Sequence, residues 1–517
     1  MKNAVCFLIL VAAASQAQAE PLRIGTITIE NVNVYSNEEV SAGWLYRIAD
    51  KIHVETRPSV IRGFLLFQEG DPYVPERLAE SERNLRAFSF LKSASITASA
   101  PHDGLVDVTV TTQDAWSLEP GSELGSKGGV GTFGVSLTDN NLAGFGRQAS
   151  ISFNKGADRS RAAFDYRDCA FIRPYWQSRL TYAKNSDGFD HRLSIARPFY
   201  SFNTRWSAQL TFDDLRQHDR LFEQGLMSAR FSQEHRQIVA ATGFAIDPTD
   251  RRAMRITAGF RSSSDTFLSL RDRPADSLPT NRRFQYLFVR FDRVDNNFVK
   301  LNFVNNDLRY EDFNLGQQFS VEAAVSPRSG TQYVRVAETV GRSFGENTFI
   351  LPSIAFESRI DHGWRNAILS ANARYVHRFQ TEVPQTFVGR LMLNSGWNLD
   401  REVQFFADGS NGLRGYRLQN FEGSRNLILN LEQRFFIGRE LFQLVSPGLA
   451  AFFDSGTATN ASLLRSPQLK SDVGVGIRIG LPRASKGVLR LDFAYPLNRD
   501  PFDRRRLLVS FSSSQAF

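Results

Sequence analysis

The chain has 517 residues, with 62 Lys and Arg against 54 Asp and Glu, a formal charge of +8. That excess is small for the length and the basic residues are dispersed, which argues against the clustered footprint of a dedicated nucleic-acid binder. Only two cysteines occur, and beyond the N-terminus no apolar run approaches the ~18–20 residues of a membrane-spanning helix. Disulfide scaffolds, cysteine-rich zinc folds and helical membrane proteins are thereby excluded.

Residues 1–19 have the layout of a secretory signal peptide: Lys2, an apolar stretch from Ala4 to Ala14, and Ala17-Gln18-Ala19 before Glu20. Cys6 leaves with this segment, so the mature chain keeps Cys169 alone, a thiol expected to be packed and inert.

Residues 20–114 mix strand and helix patterns. Leu22 to Val34 is rich in Ile, Val and Thr and reads as a strand. Ser36 to Ile52 reads as a helix capped near Asn37, and Ser59 to Phe67 as a second one, broken by Glu69-Gly70-Asp71-Pro72. Pro75 opens a third, to Leu91, with Leu78, Leu85 and Phe88 on one face. Ala94 to Ala98 and the alternating Val106, Val108 and Val110 are strands around an Asp103-Gly104 turn. The sum is a small α+β domain.

From residue 115 to 517 helical periodicity fades and period-two alternation recurs. Trp206, Ala208, Leu210 and Phe212 alternate with Ser207, Gln209, Thr211 and Asp213. Val473, Val475, Ile477 and Ile479 alternate with Gly474, Gly476, Arg478 and Gly480, and Leu489, Leu491, Phe493 and Tyr495 with Arg490 and Asp492. A soluble sandwich would place the charged face in water outside. A membrane barrel inverts this, with the apolar face in lipid and the polar face around a wet interior. The export signal, the length of the strand region and a terminal Phe517 after Leu507, Val509 and Phe511 favour a transmembrane antiparallel β-barrel with room for roughly 12–18 strands. A sheet in lipid must close, because unpaired backbone groups cost several kcal/mol each there.

Motifs then occur in a fixed order. Asp139 to Arg147 (DNNLAGFGR) precedes a strand. Leu413-Arg414-Gly415-Tyr416 follows a Gly- and Asn-rich stretch. Asn430-Leu431-Glu432-Gln433-Arg434 and Phe452-Phe453-Asp454-Ser455-Gly456 come next. This order resembles the BamA/TamA family of outer-membrane barrels, the bacterial surface-antigen type, which includes the two-partner secretion transporters. The resemblance implies a sixteen-stranded barrel, preceded at 20–114 by one POTRA-like periplasmic domain. It places Arg414, Gly415 and Tyr416 on a long loop folded into the lumen, with Arg414 meeting Asp454 near Glu432, and makes Phe517 a barrel-end signal. A guanidinium there can fork onto a carboxylate and pin the loop.

The resemblance further implies assembly, insertion or translocation of proteins, or of lipids, in the outer membrane. The POTRA domain would take an unfolded client by strand addition, the first and last strands (near Trp116–Glu119 and Leu507–Phe517) would pair weakly, and periplasmic or lipoprotein partners are compatible. The alternative is a non-transporting barrel that organises envelope partners. No enzyme, cofactor, metal or nucleic-acid role is expected. Gly129 to Gly134 fits G-x-G-x-x-G but is followed by strand residues rather than a helix, seven scattered His show no metalloprotease spacing, and no G-x-S-x-G elbow occurs.

Overall fold

The computed structural model describes residues 21–517 except 36–52, 128–129, 157, 271–277, 443, 464–467, 485–486, 503, 514 and 516. The expected leader at 1–19 and the expected helix Ser36–Ile52 lie outside the described residues.

The N-terminal unit contains β1 (Arg23–Val32), α1 (Pro58–Gly63), α2 (Pro75–Arg86), β2 (Leu91–Ala98) and β3 (Leu105–Asp114). β3 is the central strand, parallel to β1 and antiparallel to β2. Alternation puts Val106, Val108 and Val110 on its buried face, and Leu78 and Leu85, two turns apart on α2, pack into the same core with Ile61 of α1. Asp103 and Gly104 adopt φ of 47° and 76°, the left-handed pair that a two-residue hairpin turn requires. Both helices are shorter than expected. α1 stops at Gly63 because Phe64, Leu65 and Phe67 turn into the core and the Leu66 N–H donates to Ser81 Oγ. α2 stops at Arg86, and Phe90 and Leu91 enter the core as β2 begins.

The remainder is an antiparallel sheet whose neighbour order closes on itself, Leu508–Ser512 lying beside Leu118–Lys127. Among the described residues it contains twenty strands rather than sixteen, taking Gln332–Thr339 and Arg342–Ser343 as one interrupted strand because both pair with Thr348–Ile360. The difference arises in the connections, several of which are far tighter than a loop-rich reading allows: Asn185 pairs with Gly188 and Glu223 with Leu226. Val130–Asp139 is one of these strands, so no helix follows the glycine motif.

The two faces of the sheet are reversed relative to a soluble protein. On Arg425–Phe436 the buried residues are Asn426, Ile428, Asn430, Glu432, Arg434 and Phe436, while Leu427, Leu429 and Leu431 are partly exposed. On Lys470–Gly480 Asp472 and Arg478 are buried, and Val475 is 61% exposed. Such an outward apolar face suits hydrocarbon, and the enclosed face carries the charge.

The N-terminal unit docks on one end of the barrel, here the near end. Tyr175, on a near-end turn, donates its hydroxyl to the Phe64 carbonyl at 2.6 Å and stacks on Tyr200. Cys169 packs against the N-terminal core from the same turn, and burial pushes its thiol up to about 11. Arg77 meets Asp250 at 3.2 Å, and Asn141 Nδ2 donates to Thr56 Oγ1 at 2.8 Å. Glu80 of α2 is buried against the next turn and accepts the Phe202 N–H at 2.9 Å. Burial raises this carboxyl to about 7, against the opposing effects of Phe202 and Arg83.

Val475→Arg should cost about 2–4 kcal/mol if the position lies at mid-membrane, whereas Gln209→Arg, on the enclosed face, should be tolerated; the folded fraction in liposomes, read by heat-modifiable electrophoretic mobility, separates the two. Because the Glu80 carboxyl has a higher pKa when docked than when free, docking favours its protonated form. Docking should therefore weaken as pH rises from about 4.5 to about 7 and level off above, and Glu80→Gln should flatten that dependence, as measured by hydrogen exchange in the 198–205 turn.

Candidate functional site

The site is assembled from four neighbouring strands and one loop. Arg425–Phe436, Ser446–Thr459, Lys470–Gly480 and Val488–Pro496 pair in succession. The register places Asn430 opposite Asp454, Glu432 opposite Phe452, and Gly476 opposite Asp492, so the enclosed sides of these strands share one charged patch.

The loop between Gln385–Trp397 and Arg425–Phe436 starts from the far end and folds into the barrel. Asp408, itself buried, organises it: its carboxylate accepts N–H groups of Ser410, Asn411 and Gln419, the last at 2.6 Å. Leu413 and Tyr416 pack with Ile428, and the Tyr416 hydroxyl donates to the Ser471 carbonyl at 3.0 Å. Gly415 passes so close to the wall that a Cβ there would lie 2.5 Å from Asp472 Cβ. Only glycine leaves room for that approach.

Arg414 ends the loop's descent. Its Nε and Nη2 fork onto Asp454 at 2.7 and 2.9 Å, and Nη1 donates to Glu432 Oε2 at 2.5 Å. The guanidinium also lies 3.4 Å above the centroid of Phe452 and 3.5 Å from Asp492. The Phe452 ring has space to lie there because position 474 is glycine; a Cβ would come within 2.2 Å of it. Glu432 is shared: Arg434 Nε reaches its Oε1 at 2.8 Å, and Arg478 reaches Oε2 at 3.3 Å while donating to Asp492 at 2.6 Å. Arg414, Glu432, Arg434, Arg478, Asp454 and Asp492 are all buried. A charged group at such a place is tolerated only when paired and hydrogen-bonded.

The structure thus brings Arg414, Glu432 and Asp454 together, with Gly415 and Tyr416 fixing the loop around them. The last strand ends at Ser512, and Phe517 lies inside the barrel instead of on it, its ring 5.6 Å from the Arg434 guanidinium and its carbonyl accepting Arg434 Nη2 at 3.1 Å. Polar Ser513 and Gln515 break the apolar alternation, and Gln515 Nε2 donates to the Asn305 carbonyl within. Sequence reasoning missed Asp408, Phe452, Arg434 and Arg478 as parts of the site. The available signal was spacing: Glu432 and Arg434, two apart in a strand, share a face. Among the described residues no cluster of His, Cys, Asp and Glu is placed to hold a metal ion.

Removing one partner of this pair should be far worse than removing both. Arg414→Ala leaves Asp454 buried without its cation and should cost about 3–5 kcal/mol, and Arg414→Ala with Asp454→Asn should recover a large part of it. Exchanging the two charges should not rescue, since the new carboxylate at 414 would face Glu432. Urea unfolding in detergent, run as a double-mutant cycle, checks both statements.

The strands and loop that hold Arg414 lie within the segment that matches a known family. Residues 365–517 match the Omp85 superfamily domain. Among solved structures, the chain is similar to CdiB from Acinetobacter baumannii (12% identity, TM-score 0.48, 95% of this chain and 73% of that one) and CdiB from Escherichia coli (10%, 0.47, 97% and 92%). It is also similar to BamA from Haemophilus ducreyi lacking POTRA domains 1-3 (12%, 0.40, 94% and 84%). No curated protein matches the chain. The match to the Omp85 superfamily domain therefore covers residues 365–517, the part of the chain that carries the Arg414 loop and the carboxylates it meets.

Proposed function

We propose that this protein inserts or translocates proteins at the bacterial outer membrane, with its N-terminal unit acting as a POTRA-type periplasmic receiver and the Arg414 loop as the gate. The observation that carries the reading is the buried Arg414 clamp. A loop that starts at the far end is pinned deep in the barrel by one guanidinium on two carboxylates. Such a clamp holds a defined closed state, and its loss frees the loop.

The unit at 20–114 supports the receiving role by position. It is docked on the near end, and on its edge strand β2 Ser93, Ser95 and Thr97 are exposed. An unfolded chain adding there as a further strand would take the Ile96 N–H from the Glu82 carboxylate, which caps it at 3.0 Å. The seam supports lateral opening, since Leu508–Ser512 has five residues beside the ten of Leu118–Lys127. Short pairing between first and last strands leaves few ladder bonds to break. On this reading the free energy comes from client folding and burial in lipid. A non-transporting barrel that organises envelope partners is the second reading, favoured by the amount of chain that fills the interior.

A photo-crosslinker at Thr97 in cells tests the choice. The transport reading expects capture of nascent outer-membrane proteins, and a fall in their outer-membrane content when the protein is depleted. Capture of folded envelope proteins only, with outer-membrane protein content unchanged on depletion, would establish the second reading.

A further inference from the structure

The segment 296–317 has no counterpart in the expectations above. It joins Arg282–Asp295 to Gln318–Val325 at the near end, and its strands Phe298–Leu301 and Glu311–Asn314 form a hairpin outside the barrel's strand order. Leu301, Val304 and Leu315 bury themselves against Phe349, Val376 and Val388, which lie on three successive barrel strands. That cluster is on the enclosed face, because the outward neighbours, such as Leu391, are exposed.

The polar contacts show how the tip is held. Arg434 Nη1 donates to the Val304 carbonyl at 2.7 Å, Thr386 Oγ1 to the Phe303 carbonyl at 2.6 Å, and Arg378 to Asn302 Oδ1 at 2.8 Å. Ser446 Oγ bonds to the Asp307 carboxylate. Phe303 and Leu308 adopt φ of 58° and 59°, left-handed backbone that bulky side chains rarely take. Such conformations persist only where the surroundings impose them, and they collect at elements that switch.

The other side of the segment is held by the N-terminal unit. Arg86 of α2 places two hydrogen bonds on Asp312, at 2.9 and 2.7 Å, Lys300 meets Glu82 at 3.0 Å, and Arg309 Nη2 donates to the Leu91 carbonyl at 2.9 Å. A cavity of about 810 Å³ lies between α2 and the segment, lined by Arg83, Arg86, Phe199, Arg255, Tyr310 and Asp312. The segment therefore has unfilled space on the side towards which it would withdraw.

We propose that residues 296–317 form a plug of the near end, released when the N-terminal unit shifts, and that Arg434 couples its release to the Arg414 loop. The coupling is a contiguous set of contacts. Arg86 holds Asp312, the plug presents the Val304 carbonyl to Arg434, and Arg434 holds Glu432, which is an acceptor for Arg414. When the plug leaves, Arg434 loses a hydrogen-bond acceptor and the placement of Glu432 loosens. A client that displaces the N-terminal unit would thus unlock both closures in order. The inference rests on the barrel being a conduit.

The test is conductance of the full-length protein in planar bilayers. Asp312→Asn and, separately, Arg86→Ala remove the charge-assisted contact and should raise the open probability at least about tenfold. Asp307→Cys with Ser446→Cys, in a Cys169→Ala background, tethers the plug; oxidised, it should abolish the openings of Asp312→Asn, and a reductant should restore them. Openings that persist with the tether oxidised, or an open probability unchanged in both single variants, would overturn the plug. Its failure is distinct from that of the transport reading. Client capture at Thr97 with plug variants that behave as wild type leaves transport and removes the plug, whereas gated currents without any client leave the plug and remove transport.

Discussion

A closed sheet that turns leucine and valine outward puts its charged side chains inside, where a buried charge is costly unless it is paired. That constraint organises this molecule. Glu432, Arg434, Asp454 and Asp492 are enclosed by the barrel wall, and each has a charged partner. Desolvating such groups is expensive, so the pairs contribute little net stability compared with an apolar interior. What they contribute is position. A guanidinium that must satisfy Asp454 and Glu432 at once has very few acceptable placements, and the loop that carries it inherits that restriction.

The same patch receives chain from both directions. The Arg414 loop descends from the far end, and the 296–317 hairpin rises from the near end together with Phe517. They meet at Glu432 and Arg434, one turn of the pleat apart on a single strand. A barrel whose interior is filled this way cannot pass a substrate without rearrangement. In the reading proposed here, the rearrangement begins at the N-terminal unit, whose contacts with the near-end turns combine partly exposed ion pairs with the buried Glu80 and the packed Cys169 and Tyr175. Ion pairs such as Arg77 with Asp250 are individually weak.

The reversed faces were legible in the sequence because a strand's side-chain period is two, so charge at every second position, as in Leu489-Arg490-Leu491-Asp492, declares the face directly. The convergence on Arg414 was legible from motif order. Other features carried no local signal. Arg434 touches Val304 and Phe517, 130 and 83 residues away, and nothing near it in the chain points to them. Phe298–Leu301 reads like any barrel strand; only tertiary packing makes it part of an inward hairpin. The number of strands was obscured because tight hairpins and longer connections have similar polar compositions. Helix ends in the N-terminal unit moved because aromatic residues gained more from the core than from another helical turn.

The claim beneath all of this is that apolar residues of the barrel strands face hydrocarbon. Spin labels placed singly along 207–212 in the lipid-reconstituted protein test it directly. The account predicts high collision rates with oxygen at 208, 210 and 212, and low rates at 207, 209 and 211, where a water-soluble relaxant should have the stronger effect. Equal access at both sets, or the opposite pattern, would contradict it.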